Sequence, residues 1–265
     1  MPRPKEGAEI VSVEYRRLKE EYDRVDEAEA AADAERWIRG AVRVVEPTRE
    51  EVVRSSRLYL AMRRLMKQEG ALAVTIDCLG GFRRQELPAY PCLGFCRLND
   101  RRRVGACEAD LNSMLTMLLF AHAFGVPGFI SDPVIDTSAN EVIHAHCVSP
   151  TRMDGPAGPP LPYLIRSHME DDRGAALQVR HRVGETITSA KIVNFATVLI
   201  STGKITANVD SDRGCRTKIA TKVPRARTLL DNYGSGLHRV IFYGDRREGV
   251  GHLAALLGLK IVEEA

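Results

Sequence analysis

Two carboxylates and two histidines in the middle of this 265-residue chain have the types and spacing to hold a cation and move a proton. Glu108 and Asp132 bracket an apolar run, and His144 and His146 follow on what reads as a strand, all between Cys107 and Cys147. Glu108 is expected in the first turn of the helix, where a carboxylate meets the positive end of the helix dipole. Asp132 is expected at the end of a short buried strand, Gly128–Ser131. Element termini are where α/β proteins tend to place their sites. Hard oxygen ligands with an imidazole suit Mn²⁺, Mg²⁺ or Fe²⁺ better than a thiolate-loving metal. The same residues also read as a helix cap, a strand-end aspartate and two ordinary histidines.

A fifth candidate lies far along the chain. Gly234-Ser235-Gly236-Leu237-His238-Arg239 puts a histidine in a glycine-rich loop just before a strand, where the backbone can be shaped around a ligand. Arg216, Lys218, Lys222, Arg225 and Arg227 alternate with apolar positions and read as solvent-facing or as one side of a polar groove. His122, His168, His181 and His252 read as surface or packing residues. The six cysteines make no CxxC pair and sit in apolar sequence, so they read as reduced core thiols of a cytoplasmic protein.

The elements that must position these residues follow from periodicity. Residues 13–45 read as one long helix or two broken near Asp26, after a loose lead-in over the first dozen residues. Thr48 and Glu51 form a capping box that opens a helix to about Glu69. Gly70 releases the chain into Ala71–Asp77, a near-continuous apolar strand of the kind buried on both faces of a parallel sheet, with Gly80-Gly81 as a loop and 82–103 irregular. The helix after Glu108 presents Leu111, Met114, Leu115, Leu118 and Leu119 as its buried face. The turn-rich run Asp154–Pro162 marks a domain boundary, giving an α/β layered domain with a parallel sheet over 1–150 and a small antiparallel β-barrel over 151–265. The barrel strands are read at 163–167, 175–179, 186–192, 194–203, 204–209, 217–222 and 240–243, with a last helix at 249–257 and a strand at 260–262.

Composition narrows the class. Charged residues at 28% and hydrophobic ones at 44% are those of a soluble globular chain, and 38 basic against 35 acidic residues leave a net charge of +3, too small to imply a polyanionic partner. Nucleic acid and membrane are therefore not expected as partners: the short arginine runs lack interleaved aromatics, and no stretch has transmembrane length.

Cys107-Glu108-Ala109-Asp110-Leu111, Asp132 24 positions after Glu108, His146-Cys147, Gly236-Leu237-His238-Arg239-Val240 and Tyr243-Gly244-Asp245 together resemble the L-fucose isomerase and L-arabinose isomerase superfamily. The resemblance runs over about residues 13–265 and implies a second, Rossmann-like domain followed by the barrel. It implies Glu108, Asp132 and His238 as ligands of a divalent ion, typically Mn²⁺. His146 matches a further active-site histidine that binds substrate or, in the arabinose branch, the metal. The implied activity is that of an aldose–ketose isomerase, an intramolecular oxidoreductase acting on a free sugar through an enediol, with Glu108 and Asp132 as base and acid. It also implies a homo-oligomer, trimer or hexamer. The family carries an N-terminal nucleotide-binding-like domain ahead of this region, so the chain is expected to be the catalytic portion of such an enzyme. The alternatives to that expectation are a sugar-binding relative without turnover and one partner of a separate N-terminal-domain subunit.

Overall fold

The computed structural model describes residues 9–265, so the first eight residues of the lead-in lie outside the described residues. Helices α1 (Tyr15–Asp23) and α2 (Glu27–Gly40) are separate, and Asp26 ends the break by accepting a hydrogen bond from the Glu29 N–H as the cap of α2. Strand β1 (Arg43–Val44) leads to α3 (Arg49–Gln68), whose capping box is complete: Thr48 accepts from the Glu51 N–H, and Glu51 accepts from the Thr48 N–H. A cap of this kind contributes about 1 kcal/mol.

Strand β2 (Ala73–Thr75) is shorter than the apolar run that encodes it and only half-buried, because it pairs in parallel with β3 (Val104–Ala106) alone. The Gly80-Gly81 stretch is helical and not a loop. Asp77 caps α4 (Cys78–Arg83) through the Gly80 N–H, and the region expected to be irregular contains α5 (Cys92–Asn99), a largely buried helix of about two turns. Helix α6 (Leu111–Phe124) then carries the chain into β4 (Phe129–Asp136) and β5 (Glu141–His146).

The remaining elements are β6 (Tyr163–Arg166), β7 (Ala176–Val179), β8 (Thr186–Val193), β9 (Thr197–Asn208), β10 (Thr217–Lys222), α7 (Ala226–Asp231), β11 (Arg239–Tyr243), α8 (Arg247–Leu257) and β12 (Lys260–Glu263). The two strands read at 194–203 and 204–209 are one, since β9 continues through Gly203. Six antiparallel strands close a barrel in the order β10-β5-β4-β11-β8-β9, with β9 returning to β10, and β12 adds to β9 in parallel. The barrel thus takes β4 and β5 from before residue 150 and four strands from after it. Beyond residue 150, β6 and β7 join β1 in a second sheet, where β1 and β6 run parallel. The fold is mixed α/β with parallel pairings and a closed antiparallel barrel. Among the described residues no helix is long and apolar enough to cross a membrane.

Helix α6 ties this barrel to the site. Its fully buried residues are Ser113, Thr116, Met117, Phe120 and Ala121, not the leucine face; Leu111 is exposed and Met114, Leu115, Leu118 and Leu119 are only partly buried. The helix is apolar almost all round, so periodicity could not select the face, and the polar pair Ser113 and Thr116 is buried because it has partners. Thr116 Oγ1 accepts from the Ile192 N–H of β8 at 2.8 Å, and Phe120 stacks on Phe242 of β11 with centroids 4.0 Å apart. Such a stack adds about 0.5–1.5 kcal/mol beyond area burial.

Candidate metal centre and active site

Glu108 does not lie in the first turn of α6. Asp110 caps that helix, and Glu108 precedes it with φ 60°, followed by Ala109 at 55°. Two consecutive left-handed residues with side chains cost about 1–3 kcal/mol each, and such strain concentrates at functional positions. The reversal is held by the Ala109 N–H on Ile76 O (3.0 Å) and the Asp110 N–H on Cys107 O (3.3 Å). It turns the Glu108 carboxylate toward the end of the barrel.

Asp132 lies within β4, not at its end, and the end that matters belongs to β11. Arg239 pairs with Ser131, and one step further that register sets His238 opposite Asp132. Directly opposed side chains in an antiparallel pair stand about 5 Å apart at Cβ. His146 closes β5. The structure therefore brings together Glu108 from the β3–α6 turn, Asp132 and His146 from strands β4 and β5, and His238 from the loop ahead of β11. His238 Nε2 lies 3.5 Å from Glu108 Oε2 and 3.3 Å from Asp132 Oδ1. His146 Nε2 lies 3.5 Å from Glu108 Oε1 and 4.0 Å from Asp132 Oδ2.

The fit to a cation rests on unsatisfied atoms. Asp132 Oδ1, His146 Nε2 and His238 Nε2 are buried with no hydrogen-bond partner, although buried polar atoms are nearly always paired. Ligand atoms of Asp132, His146 and His238 all lie within 4.8 Å of one another, the spacing from which a single ion at about 2.0–2.3 Å gathers its ligands. Two carboxylates and two imidazoles fit a hard or borderline divalent ion.

Two residues the sequence reading passed over complete the arrangement. Asp110 Oδ2 sits 2.9 Å from His238 Nδ1 and accepts from Lys191 Nζ at 3.0 Å, while Ser113 donates to Asp110 from its N–H and its hydroxyl. With its proton on Nδ1, His238 presents the Nε2 lone pair to the centre, the carboxylate–histidine arrangement that orients metal ligands. His146 differs: its Nδ1 receives the Cys147 N–H at 3.0 Å, so Nε2 carries the ring proton toward Glu108 until that contact is given up. The sequence offered one hint of Asp110, an acidic residue three before Ser113 at a helix start; nothing in it pointed to Lys191.

The charges order the protonation states. The His146 and His238 rings, each 3.5 Å from one of its oxygens, hold the Glu108 carboxyl well below the usual range. Burial raises Asp132, and Glu108 adds to that against the opposing charges of the two histidines. Burial works against a charged His238 ring, but Asp110, Glu108 and Asp132 outweigh it and push it up to about 9. His144 is not part of the centre. It is buried, its Nδ1 lies 3.2 Å from the Ser131 hydroxyl, and burial with the Arg239 charge lowers it to about 3, so it is a neutral core histidine.

Arg216 and Lys218 are not solvent-facing. Arg216 donates to Ser167 and Asp172, and Lys218 to the carbonyls of Ser211, Arg213 and Cys215, so both are buried with their hydrogen bonds made. All six cysteines are free thiols.

Fold and site together define a mixed α/β protein with two carboxylates and two histidines converging at one end of a closed barrel. No family model matches the sequence. The chain is similar to a sulfoquinovose isomerase from Clostridium sp. (strain MSTE9), at 25% identity over 271 aligned positions. The match covers 96% of this chain and 58% of that protein, so the chain spans somewhat over half the relative's length. A distant relative of this chain is therefore a sugar isomerase.

Proposed function

We propose that the chain is the catalytic portion of a metal-dependent sugar isomerase of the L-fucose/L-arabinose isomerase type, with Glu108, Asp132, His146 and His238 holding a divalent ion, Mn²⁺ by preference. The observation that carries the reading is the set of buried, unpartnered atoms Asp132 Oδ1, His146 Nε2 and His238 Nε2 facing one another beside Glu108. A sugar isomerase among the relatives supports the reaction class.

An ion held by Glu108, Asp132, His146 and His238 would supply the positive charge that lowers the cost of an enediol. The protein's own groups do the proton work. Asp132, the stronger base of the carboxylate pair, takes the proton from the carbon next to the carbonyl, and Glu108 serves the transfer at the oxygen side. Lys191 and Asp110 keep His238 in register. A cytoplasmic homo-oligomer, trimer or hexamer, able to associate with a separate N-terminal-domain subunit, is the corresponding proposal for assembly.

The test is a calorimetric titration of metal-stripped protein with Mn²⁺, with Glu108→Gln and His238→Ala beside the wild type, then an isomerisation assay on L-fucose, L-arabinose and sulfoquinovose. One ion per chain, bound at least about tenfold more weakly in both variants, is the expected result. Equal binding in all three proteins would sink the proposal. Metal binding without turnover of any sugar would favour sugar binding without catalysis.

A further inference from the structure

Beside the hard-ligand centre stands a second, softer set of donors. Cys107 immediately precedes Glu108, and its Sγ lies within 4.8 Å of ligand atoms of both Glu108 and His146, all of them close enough together to hold an ion. Behind it, Cys78 Sγ is 3.2 Å from Cys107 Sγ, with both thiols buried. The Glu108 carboxylate divides between the two sets: Oε1 faces His146 and Oε2 faces His238. His146 Nε2 is buried and unpartnered.

We infer that Cys107, Glu108 and His146, backed by Cys78, form a thiolate-bearing cation subsite for a thiophilic divalent ion such as Zn²⁺ or Cd²⁺, which shares Glu108 and His146 with the hard-ligand centre so that the two ions exclude each other. Thiolate, imidazole and carboxylate are the donor classes such ions take, whereas Mn²⁺ and Mg²⁺ prefer oxygen. Two sulfurs on one tetrahedral ion, each bonded at about 2.3 Å, stand roughly 3.8 Å apart, so the 3.2 Å separation of Cys78 and Cys107 needs only a small opening for Cys78 to join as a fourth ligand. Binding releases the Cys107 proton to solvent, and that of Cys78 where it joins. Ligation through His146 Nε2 also moves the ring proton to Nδ1 and gives up the Cys147 contact. The hard-ligand centre asks the same of His146, so tautomer does not choose between the subsites. The subsite itself stands on this geometry; only the mutual exclusion rests on the function proposed above.

The experiment is a Cd²⁺ titration of metal-stripped, fully reduced protein, read by the ultraviolet thiolate-to-metal charge-transfer absorption, with Cys107→Ser and Cys147→Ser in parallel. The expected result is a band saturating at one ion per chain in the wild type and in Cys147→Ser. In Cys107→Ser that band is lost or shifted at least about tenfold in concentration, while the Mn²⁺ affinity measured by calorimetry stays within about threefold. Absence of the band, an unchanged band in Cys107→Ser, or loss in Cys147→Ser instead overturns the subsite. Circular dichroism and the thermal midpoint report folding, and Cys107→Ala replaces the serine variant if that one unfolds early. Saturating Mn²⁺ is expected to weaken apparent Cd²⁺ binding at least about tenfold, and simultaneous occupancy would overturn the exclusion. If the wild type takes Cd²⁺ with the Cys107-dependent band but no Mn²⁺, the isomerase reading fails and the thiolate subsite stands.

Discussion

Asp110 Oδ2 and His238 Nδ1 lie 2.9 Å apart although 128 residues separate them in the chain. The contact joins the cap of α6 to the loop ahead of β11 and fixes which nitrogen of His238 faces the centre. Asp110→Asn keeps a side chain able to cap the helix but removes the charge that favours an Nδ1 proton. We expect Mn²⁺ affinity to fall about 10- to 100-fold in Asp110→Asn. Stability should also drop by about 1–3 kcal/mol, because Lys191 is left buried without its carboxylate. Calorimetry and denaturant unfolding of the metal-free protein measure the two separately. An Asp110→Asn protein with wild-type metal affinity would show that His238 needs no orienting partner.

The same pairing sets a pH dependence. His238 is raised from 6.5 to about 9, so its contribution to the stability of the metal-free protein is full below pH 6.5 and is lost as pH rises through about 9. Glu108 is lowered from 4.5, so its contribution is present above pH 4.5 and is lost as pH falls toward its folded value. Metal-free protein should therefore be most stable between about pH 4.5 and 6.5 as far as these groups decide it. Metal affinity runs the other way, since a cation at Nε2 displaces a proton from His238. Apparent Mn²⁺ affinity should rise about tenfold per pH unit between 7 and 9 and then level. A flat profile over that interval would mean that His238 does not bind the ion.

Much of this centre was legible as residue types at a distance. Glu108, Asp132 and His146 stand close in sequence at the ends of apolar runs, and His238 follows a glycine pair, so carboxylate and imidazole chemistry could be read without coordinates. What could not be read depended on contacts across the fold. Asp110 is an ordinary helix cap until Lys191 and His238 arrive from β8 and the β11 loop. Glu108 reads as a first-turn carboxylate, and the left-handed backbone at Glu108 and Ala109 is held by the Ala109 N–H on the Ile76 carbonyl rather than by any local signal. The face of α6 was hidden because a helix apolar on all sides carries no period to favour one side, and Thr116 is buried only by virtue of the Ile192 N–H. The strand alternation around Arg216 and Lys218 likewise gave no sign that carbonyls and Asp172 would surround them.

Arg239 follows His238 directly and is entirely buried, as is Glu264, which meets it through two bonds of 2.7 Å. The guanidinium also donates to the carbonyls of Gly236 (2.6 Å), His238 (3.0 Å) and Asn232 (3.4 Å), so one side chain fastens the loop that carries the metal ligand to the residue just past β12. Gly236 makes that loop possible. It holds φ 110°, and a Cβ there would stand 3.0 Å from Lys191 Nζ. Removing one member of a buried pair costs about 3–5 kcal/mol because the other charge stays buried, whereas replacing both with apolar residues of similar volume is often near neutral. Glu264→Ala is therefore expected to lower unfolding free energy by about 3–5 kcal/mol, and Arg239→Met with Glu264→Leu to recover most of it. Metal binding should not recover in the double variant, since nothing then gathers the Gly236 and His238 carbonyls. Urea unfolding of the three proteins, with Mn²⁺ calorimetry on those that stay folded, separates the two roles. A double variant that binds Mn²⁺ as tightly as the wild type would reduce Arg239 to a packing element of the barrel.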